Sequence, residues 1–453
     1  MPAAPAAKSA EEPIVSAHTG GTQTMGSEGA PEASSATASK GKAKAAARGS
    51  GAPPKPKLAY PPAASSPTQE GPAGVRYDFN GGARVLLPAR TDGKWFTRLR
   101  DLDTGNILFE SKLDSPEHSQ GAFVSSSKRY YVRFRLEVYD DEALFFEHDY
   151  DCKDREVLIQ FPVGTLGDTM AWFPYAARFQ EQHGCRLTCA MSGLIIPLLR
   201  DEYPEIKFVT HEEMEEQNLA DTFYATYSLG LFFDDKDNVF QPTDFRLVGL
   251  HKTAAYILGV DPQETPAKIS VSDSDRPIPE PYVCIAVQSS SGCKMWNNPL
   301  GWREVVAHLK GLGYRVICID QKPVHGSGLL YTHIPHGAED ETGDRPLTER
   351  ARWLKHADLF VGLSSGLAWL SWSTGVPVVL ISGFTHPTNE FATPFRVINW
   401  HACNSCWNDP ALRFKHDDFM WCPRHQNTDR HFECTRLITS SQVVSTINRA
   451  LGR

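Results

Sequence analysis

The spacing of hydrophobic positions changes several times along the chain, and each change marks a different kind of structure. Residues 1–72 carry almost no aromatic or large aliphatic side chains, as in the stretch SKGKAKAAARGSGAPPKPK. Such a segment buries too little apolar surface to offset its chain entropy, so it is predicted to be a disordered low-complexity tail. Over 73–152 the period becomes two: Val132, Phe134, Leu136 and Val138 alternate with Arg133, Arg135 and Glu137. Asp103-Thr104-Gly105-Asn106 supplies a turn between TRLRDL and ILFESKL, and the region reads as a small antiparallel β-domain.

From 153 to 270 the rhythm becomes strand, helix, strand, with VLIQF, DTMAWFPYAARFQEQHG, CRLTCA, SGLIIPLLRDEYP and IKFVT in succession. That alternation predicts a parallel sheet with covering helices. Prolines and charges over 271–281 break the pattern and mark a hinge. A second α/β unit spans 282–400, followed by a cysteine-bearing segment over 401–436 and a terminal helix over 437–453. The predicted class is α/β, with two Rossmann-like domains and a ligand cleft at the carboxyl ends of both sheets. This is the GT-B layout, which periplasmic binding proteins and some dehydrogenases share in outline.

Composition narrows the functions this scaffold could serve. A formal net charge of −8 over 453 residues excludes a generic polyanion binder, so nucleic acid is not the expected partner. No run approaches the ~18 apolar residues of a membrane span, and the N-terminus lacks the apolar core of a secretory signal. The expected location is therefore cytoplasmic, where ten cysteines are thiols or metal ligands rather than disulfides.

Three loops carry candidate chemistry. FPVGTLGDTMAWFP places Gly164 and Gly167 before Asp168 at the mouth of a helix, where free N–H groups meet an oxygen-rich ligand. Asp168 reads equally as a helix cap or as a catalytic carboxylate. AVQSSSGCKMWNNPLGW sets Lys294 beyond a strand in a Ser/Gly loop, suited to a diphosphate, while Trp296 and Trp302 read as packing residues. LFVGLSSGLAWLSWSTG places Ser364, Ser365 and Gly366 at a strand-to-helix turn, a second phosphate-type site. The strongest local signal is Cys403-x2-Cys406, then fifteen residues to Cys422 and eleven to Cys434, the spacing of a four-thiolate metal site. His401, His425 and His431 are alternative ligands, and spacing alone slightly favours zinc over iron.

Together GTLGDTMAWFPY, GCKMWNNPLGW, ADLFVGLSSGLAWLSW, VVLISGFTHPTNEF and the CNSC segment resemble the bacterial autotransporter heptosyltransferases, relatives of the lipopolysaccharide-core heptosyltransferases. The resemblance runs from about residue 75 to the end. It implies an N-terminal β-barrel domain on a GT-B core, one iron held by Cys403, Cys406, Cys422 and Cys434, and a ring of twelve subunits. It implies transfer of heptose from ADP-heptose to serine hydroxyls of an autotransporter adhesin before export, with inversion. Asp168 would be the base and Lys294 a catalytic contact of the donor diphosphate. Thr165 and Gly167 would join the donor site, and Ser364, Ser365, Gly366 and Leu367 would form its phosphate turn. The N-terminal extension departs from the family pattern.

Two other classes compete. A dinucleotide-dependent oxidoreductase should show G-x-G-x-x-G with an acidic residue about twenty positions on, and no such set is present. A metal-stabilised assembly or partner-binding protein would use the cysteine segment and the β-domain as interfaces, and would gain no stability from ADP.

Overall fold

The computed structural model describes residues 60–453, apart from 92, 113–120, 163 and 272–274. The predicted tail up to residue 59 and hinge positions 272–274 lie outside the described residues.

The first α/β unit is built on Glu156–Gln160, Arg186–Ala190, Lys207–Val209 and Ala225–Ser228, which pair in parallel. Their spatial order is third, second, first, fourth. Val157, Ile159 and Leu187 are almost wholly buried, as strands covered on both faces require. Helix Leu166–His183 follows the first strand, buries Met170, Trp172 and Phe173, and stops at Gly184. That glycine has φ 62°, the left-handed conformation it adopts without a Cβ penalty.

The strands of residues 73–152 pair antiparallel with one another, as the alternation predicts, and one of them also joins the sheet of the first α/β unit. Strand Arg76–Asn80 pairs in parallel with Ala225–Ser228, and Arg84–Leu87 and Ala122–Ser125 extend the same sheet antiparallel. Ile107–Lys112, Trp95–Asp101, Phe134–Asp140 and Ala143–Asp149 form a second, four-stranded antiparallel sheet, including the anticipated hairpin. Period-two patterning shows which face of a strand is buried, not which neighbour it pairs with.

The packed chain also begins earlier than predicted. The Tyr60 hydroxyl donates to the Leu229 carbonyl at 2.6 Å, and Gln160 Nε2 donates to the Pro61 carbonyl at 2.9 Å. Thr68 donates to the Phe223 carbonyl at 2.7 Å, and Arg84, paired with buried Asp78, donates to the Ala64 carbonyl. These polar contacts, together with burial of the small apolar Pro61, Ala64 and Pro67, hold 60–72, so its low content of large apolar side chains misled.

The second unit has six parallel strands in the Rossmann order third, second, first, fourth, fifth, sixth. Tyr282–Ile285 and Leu359–Leu363 are its first and fourth strands. The topological switch lies between them, so the Lys294 loop and the Ser364–Gly366 turn leave the sheet side by side. Helix Ser440–Ala450, capped by Thr439 and Gln442, buries Val443 and Ile447 against this domain. Among the described residues, no helix is long and apolar enough to cross a membrane. Cys152, Cys185, Cys189, Cys284, Cys293 and Cys318 are buried, as the sequence reading anticipates.

Candidate active site

A cleft of about 430 Å³ lies where the two switch points face each other, lined by Thr165, Gly167, Asp168, Lys294, Ser365 and Gly366 among others. The domains approach closely here. A Cβ on Gly366 would lie 2.9 Å from Leu166 Cβ and 3.1 Å from the Gly167 nitrogen. Helices Leu166–His183 and Gly366–Thr374 therefore point their N-termini at the same space. Neither Thr165 nor Ser365, their N-cap residues, makes a side-chain capping bond. Two uncapped N-termini carry free N–H groups and aligned dipoles, which favours an anion between them.

Asp168 is not the helix cap that one sequence reading allowed, since Thr165 holds that position and Asp168 lies in the first turn. Burial raises its carboxyl pKa above the ordinary range, while the Lys294 ammonium and the Thr165 side chain oppose that shift. Lys294 is thus an electrostatic partner of Asp168 across the domain boundary. Its ammonium also lies 5.9 Å from the Phe384 ring and 5.8 Å from the Trp407 ring, within cation–π range of both. The loop that carries it is anchored by Asp320, which accepts from the Val287 N–H at 2.7 Å. Burial pushes the Asp320 pKa up to about 6.

Other sequence candidates fare differently. Ser364 lines the cleft, but its hydroxyl donates to buried Glu390, which also accepts from Thr385 at 2.5 Å. It therefore shapes the wall, leaving Ser365 and Gly366 as the turn residues facing the cleft. Leu367 does not line the cleft, and its side chain packs against the main core. Trp296 is buried and meets Trp302 at 5.2 Å in an edge-on pair, as packing residues do. Sequence reasoning missed Glu390, Trp407, Phe414 and His416, all of which line the cleft. Burial first, then Lys294, lowers the His416 pKa, which keeps its imidazole neutral near pH 7.

Cys406, Cys422 and Cys434 are buried and Cys403 is half-buried, next to an aromatic cluster of Phe384, Trp407, Trp421 and Phe432. Burial, then the neighbouring Cys403, pushes the Cys406 thiol up to about 12. Burial, then the charges of Cys406, Cys293, Cys422 and Cys403, also raise Cys434. Raised pKa values of this kind describe protonated thiols. Among the described residues, the group of three or more metal-type ligand atoms lying within 4.8 Å of one another is Cys403, His425 and Glu433, so of the four predicted cysteine ligands only Cys403 belongs to it and His425, offered as an alternative ligand, does too. His431 instead faces the Met420 carbonyl at 3.0 Å, and His401 is exposed.

Two Rossmann-like domains enclosing an anion-seeking cleft, with a carboxylate facing a lysine across it, define a glycosyltransferase of the two-domain, nucleotide-sugar class. Comparison with known proteins narrows the class. Residues 71–142 match the model of the N-terminal domain of glycosyltransferase TibC, and 238–413 match glycosyltransferase family 9 (heptosyltransferase). The chain is 54% identical over 385 residues to the autotransporter heptosyltransferase BAHTCr of Citrobacter rodentium, covering 84% of this chain and 90% of that one. It is 46% identical over 393 residues to BimC of Burkholderia thailandensis, an inactive autotransporter heptosyltransferase, covering 87% and 90%. A crystal structure of the iron-containing dodecameric glycosyltransferase TibC from enterotoxigenic E. coli superposes with TM-score 0.80 at 53% identity, covering 86% of this chain and 98% of that one. The same enzyme has been solved with ADP-D-β-D-heptose. The chain belongs to the autotransporter heptosyltransferase family.

Proposed function

We propose that this protein transfers heptose from ADP-heptose to serine hydroxyls of an autotransporter adhesin passenger. The observation that carries the reading is the meeting of Asp168 and Lys294 beneath two uncapped helix N-termini. TibC binds ADP-D-β-D-heptose, and this arrangement suits the diphosphate of such a donor. Because the family includes an inactive member, these residues rather than membership carry the claim of activity.

The chemistry follows from charge. Asp168, as a carboxylate, takes the proton from the acceptor hydroxyl while that oxygen attacks the anomeric carbon from the face opposite the diphosphate, inverting the centre. Lys294 and the N–H groups of both helices stabilise the charge that collects on departing ADP, with no divalent cation in that step. Thr165, Gly167, Ser365 and Gly366 form the donor cradle, and Glu390 fixes its wall.

Cys403, Cys406, Cys422 and Cys434 would hold one iron, which supplies a fixed cross-link to a segment with a small core of its own. Trp407 and Phe414 then reach the cleft from that segment, so the finger and the donor site are one construction. The relative of known structure is dodecameric, and we infer a homo-oligomer here as well. The acceptor would be met in the cytoplasm, before export.

ADP release from ADP-heptose tests this reading. Release should rise when a serine-containing passenger fragment is added, and UDP- or GDP-sugars offered in place of ADP-heptose should yield no UDP or GDP. Release that is independent of any acceptor would refute it.

A further inference from the structure

The lysine that faces Asp168 sits on a long loop. Residues 286–300 join strand Tyr282–Ile285 to helix Gly301–Gly311, well beyond the about 2–6 residues usual for such a connection. A loop of that length must be pinned if Lys294 is to keep one place beside Asp168. Asp320 pins its start through the Val287 N–H. Beyond Lys294, the Trp296 Nε1 and the Asn298 Nδ2 both donate to the Ile438 carbonyl, at 3.0 and 3.1 Å. Between these anchors the chain makes a short helical turn, Gly292–Lys294, pressed against two other segments. The Gly292 N–H donates to the Phe419 carbonyl at 2.9 Å. A Cβ on Gly292 would stand 2.6 Å from Leu330 Cδ2 and 2.8 Å from the Phe419 oxygen.

The residue that closes this turn is Asn297. Its Nδ2 lies 3.0 Å from the Gly292 carbonyl oxygen, 3.1 Å from that of Met295 and 2.8 Å from Thr435 Oγ1. Two of the three are carbonyl oxygens, which only accept, so the amide nitrogen and not its oxygen must face them. Those two carbonyls flank Lys294 along the chain, so one side chain ties both ends of the segment that presents the ammonium. Thr435 is buried, and its hydroxyl donates to the Phe432 carbonyl at 3.4 Å, which leaves a lone pair for Asn297. It belongs to helix Glu433–Arg436 of the cysteine segment, the segment whose Trp407 and Phe414 reach the cleft. Asn297 does not itself line the cleft, so it can act on the reaction only through what it holds.

We propose that Asn297 is a positioning residue for the transfer, fixing Lys294 opposite Asp168 by clamping the turn that carries it to the cysteine segment. This inference rests on the function proposed above. A lysine reaches a ligand on a flexible four-carbon stem, so the root of the stem must be fixed for the ammonium to meet the same diphosphate oxygens in every molecule. Without the Asn297 amide, the Gly292 and Met295 carbonyls lose the donor they share, and the turn loses its tie to Thr435. The ammonium then spends less time in the one place where it serves both the donor diphosphate and Asp168.

Asn297→Leu removes the donor at nearly constant volume and adds no charge. It should weaken ADP about fivefold to tenfold in calorimetric titration and lower turnover alongside. In a Lys294→Ala background the same change should alter ADP affinity by less than about twofold, because a residue that acts through Lys294 has nothing left to hold. The acidic limb of the kcat/KM profile should move upward in Asn297→Leu, as Asp168 loses the steady pull of the ammonium. Thr435→Val leaves both carbonyl bonds in place and should give a smaller loss of the same kind, which keeps the test open if Asn297→Leu folds poorly. Unchanged ADP affinity in Asn297→Leu would overturn the proposal. So would equal losses with and without Lys294, which would make Asn297 a stabiliser of the fold and nothing more. A wild-type protein that binds no ADP would bring down the functional reading itself, a different failure from a variant that binds ADP as the wild type does.

Discussion

Gly366→Ala tests the claim that two helix N-termini share one anion. The added methyl would sit 2.9 Å from Leu166 Cβ and 3.1 Å from the Gly167 nitrogen. The nitrogen belongs to the first turn of a long buried helix and cannot swing aside as a flexible side chain would. Overpacking of this kind costs about 1–3 kcal/mol, which should lower the thermal midpoint by on the order of several °C. The larger effect should fall on ligand binding, because relieving the clash moves one N-terminus away from the other. Lost alignment with the diphosphate should weaken ADP by about tenfold or more, as 1.4 kcal/mol corresponds to tenfold. Gly167→Ala is the matched comparison. Its Cβ would meet Gly366 Cα and Trp369 Cδ1 at 3.3 Å, a contact that shifts of a few tenths of an ångström can absorb, so its effect should be smaller. Thermal unfolding and calorimetric titration with ADP measure both. A Gly366→Ala protein that melts and binds ADP like wild type, or a Gly167→Ala protein that is the worse of the two, would refute the shared-site argument.

Four further outcomes are expected. Asp168→Asn should lower turnover by about 10²-fold or more while ADP affinity holds, measured by steady-state kinetics and titration. Because burial raises the Asp168 pKa, the ionised carboxylate destabilises the fold at neutral pH and protonation relieves this as pH falls, so thermal denaturation should show Asp168→Asn at least as stable as wild type near pH 7. Lys294→Ala should weaken ADP binding and turnover together, and should move the acidic limb of the kcat/KM profile upward, since the ammonium holds the Asp168 pKa down. Cys406→Ser should abolish the sulfur-to-iron charge-transfer absorption and the metal content found by elemental analysis, with loss of folding or assembly. Stoichiometric zinc in the wild-type protein would contradict the iron assignment.

The parts of the site that the sequence made legible are those at strand-to-helix turns. Strand and helix alternation places Gly167, Lys294 and Gly366 at carboxyl ends of sheets, and Rossmann topology brings such ends together. Whether a residue at such a turn faces inward depends on packing that no local pattern encodes. Ser364 is drawn to Glu390 and Leu367 to the core for that reason. Trp407, Phe414 and His416 were missed because they belong to the cysteine segment, whose spacing says nothing of how it docks beside the Lys294 loop. Arg76–Asn80 was assigned to a separate β-domain because its parallel partner lies well over a hundred residues later in the chain.

The measurement that bears most directly on the account is the intact mass of a serine-containing passenger fragment incubated with ADP-heptose and the wild-type protein, with Asp168→Asn alongside. The account predicts increments of one heptose residue, mapped by fragmentation to serine and greatly slowed in the variant. An unmodified fragment in the presence of folded, metal-loaded, ADP-binding protein would contradict it and place the chain with the inactive members of its family.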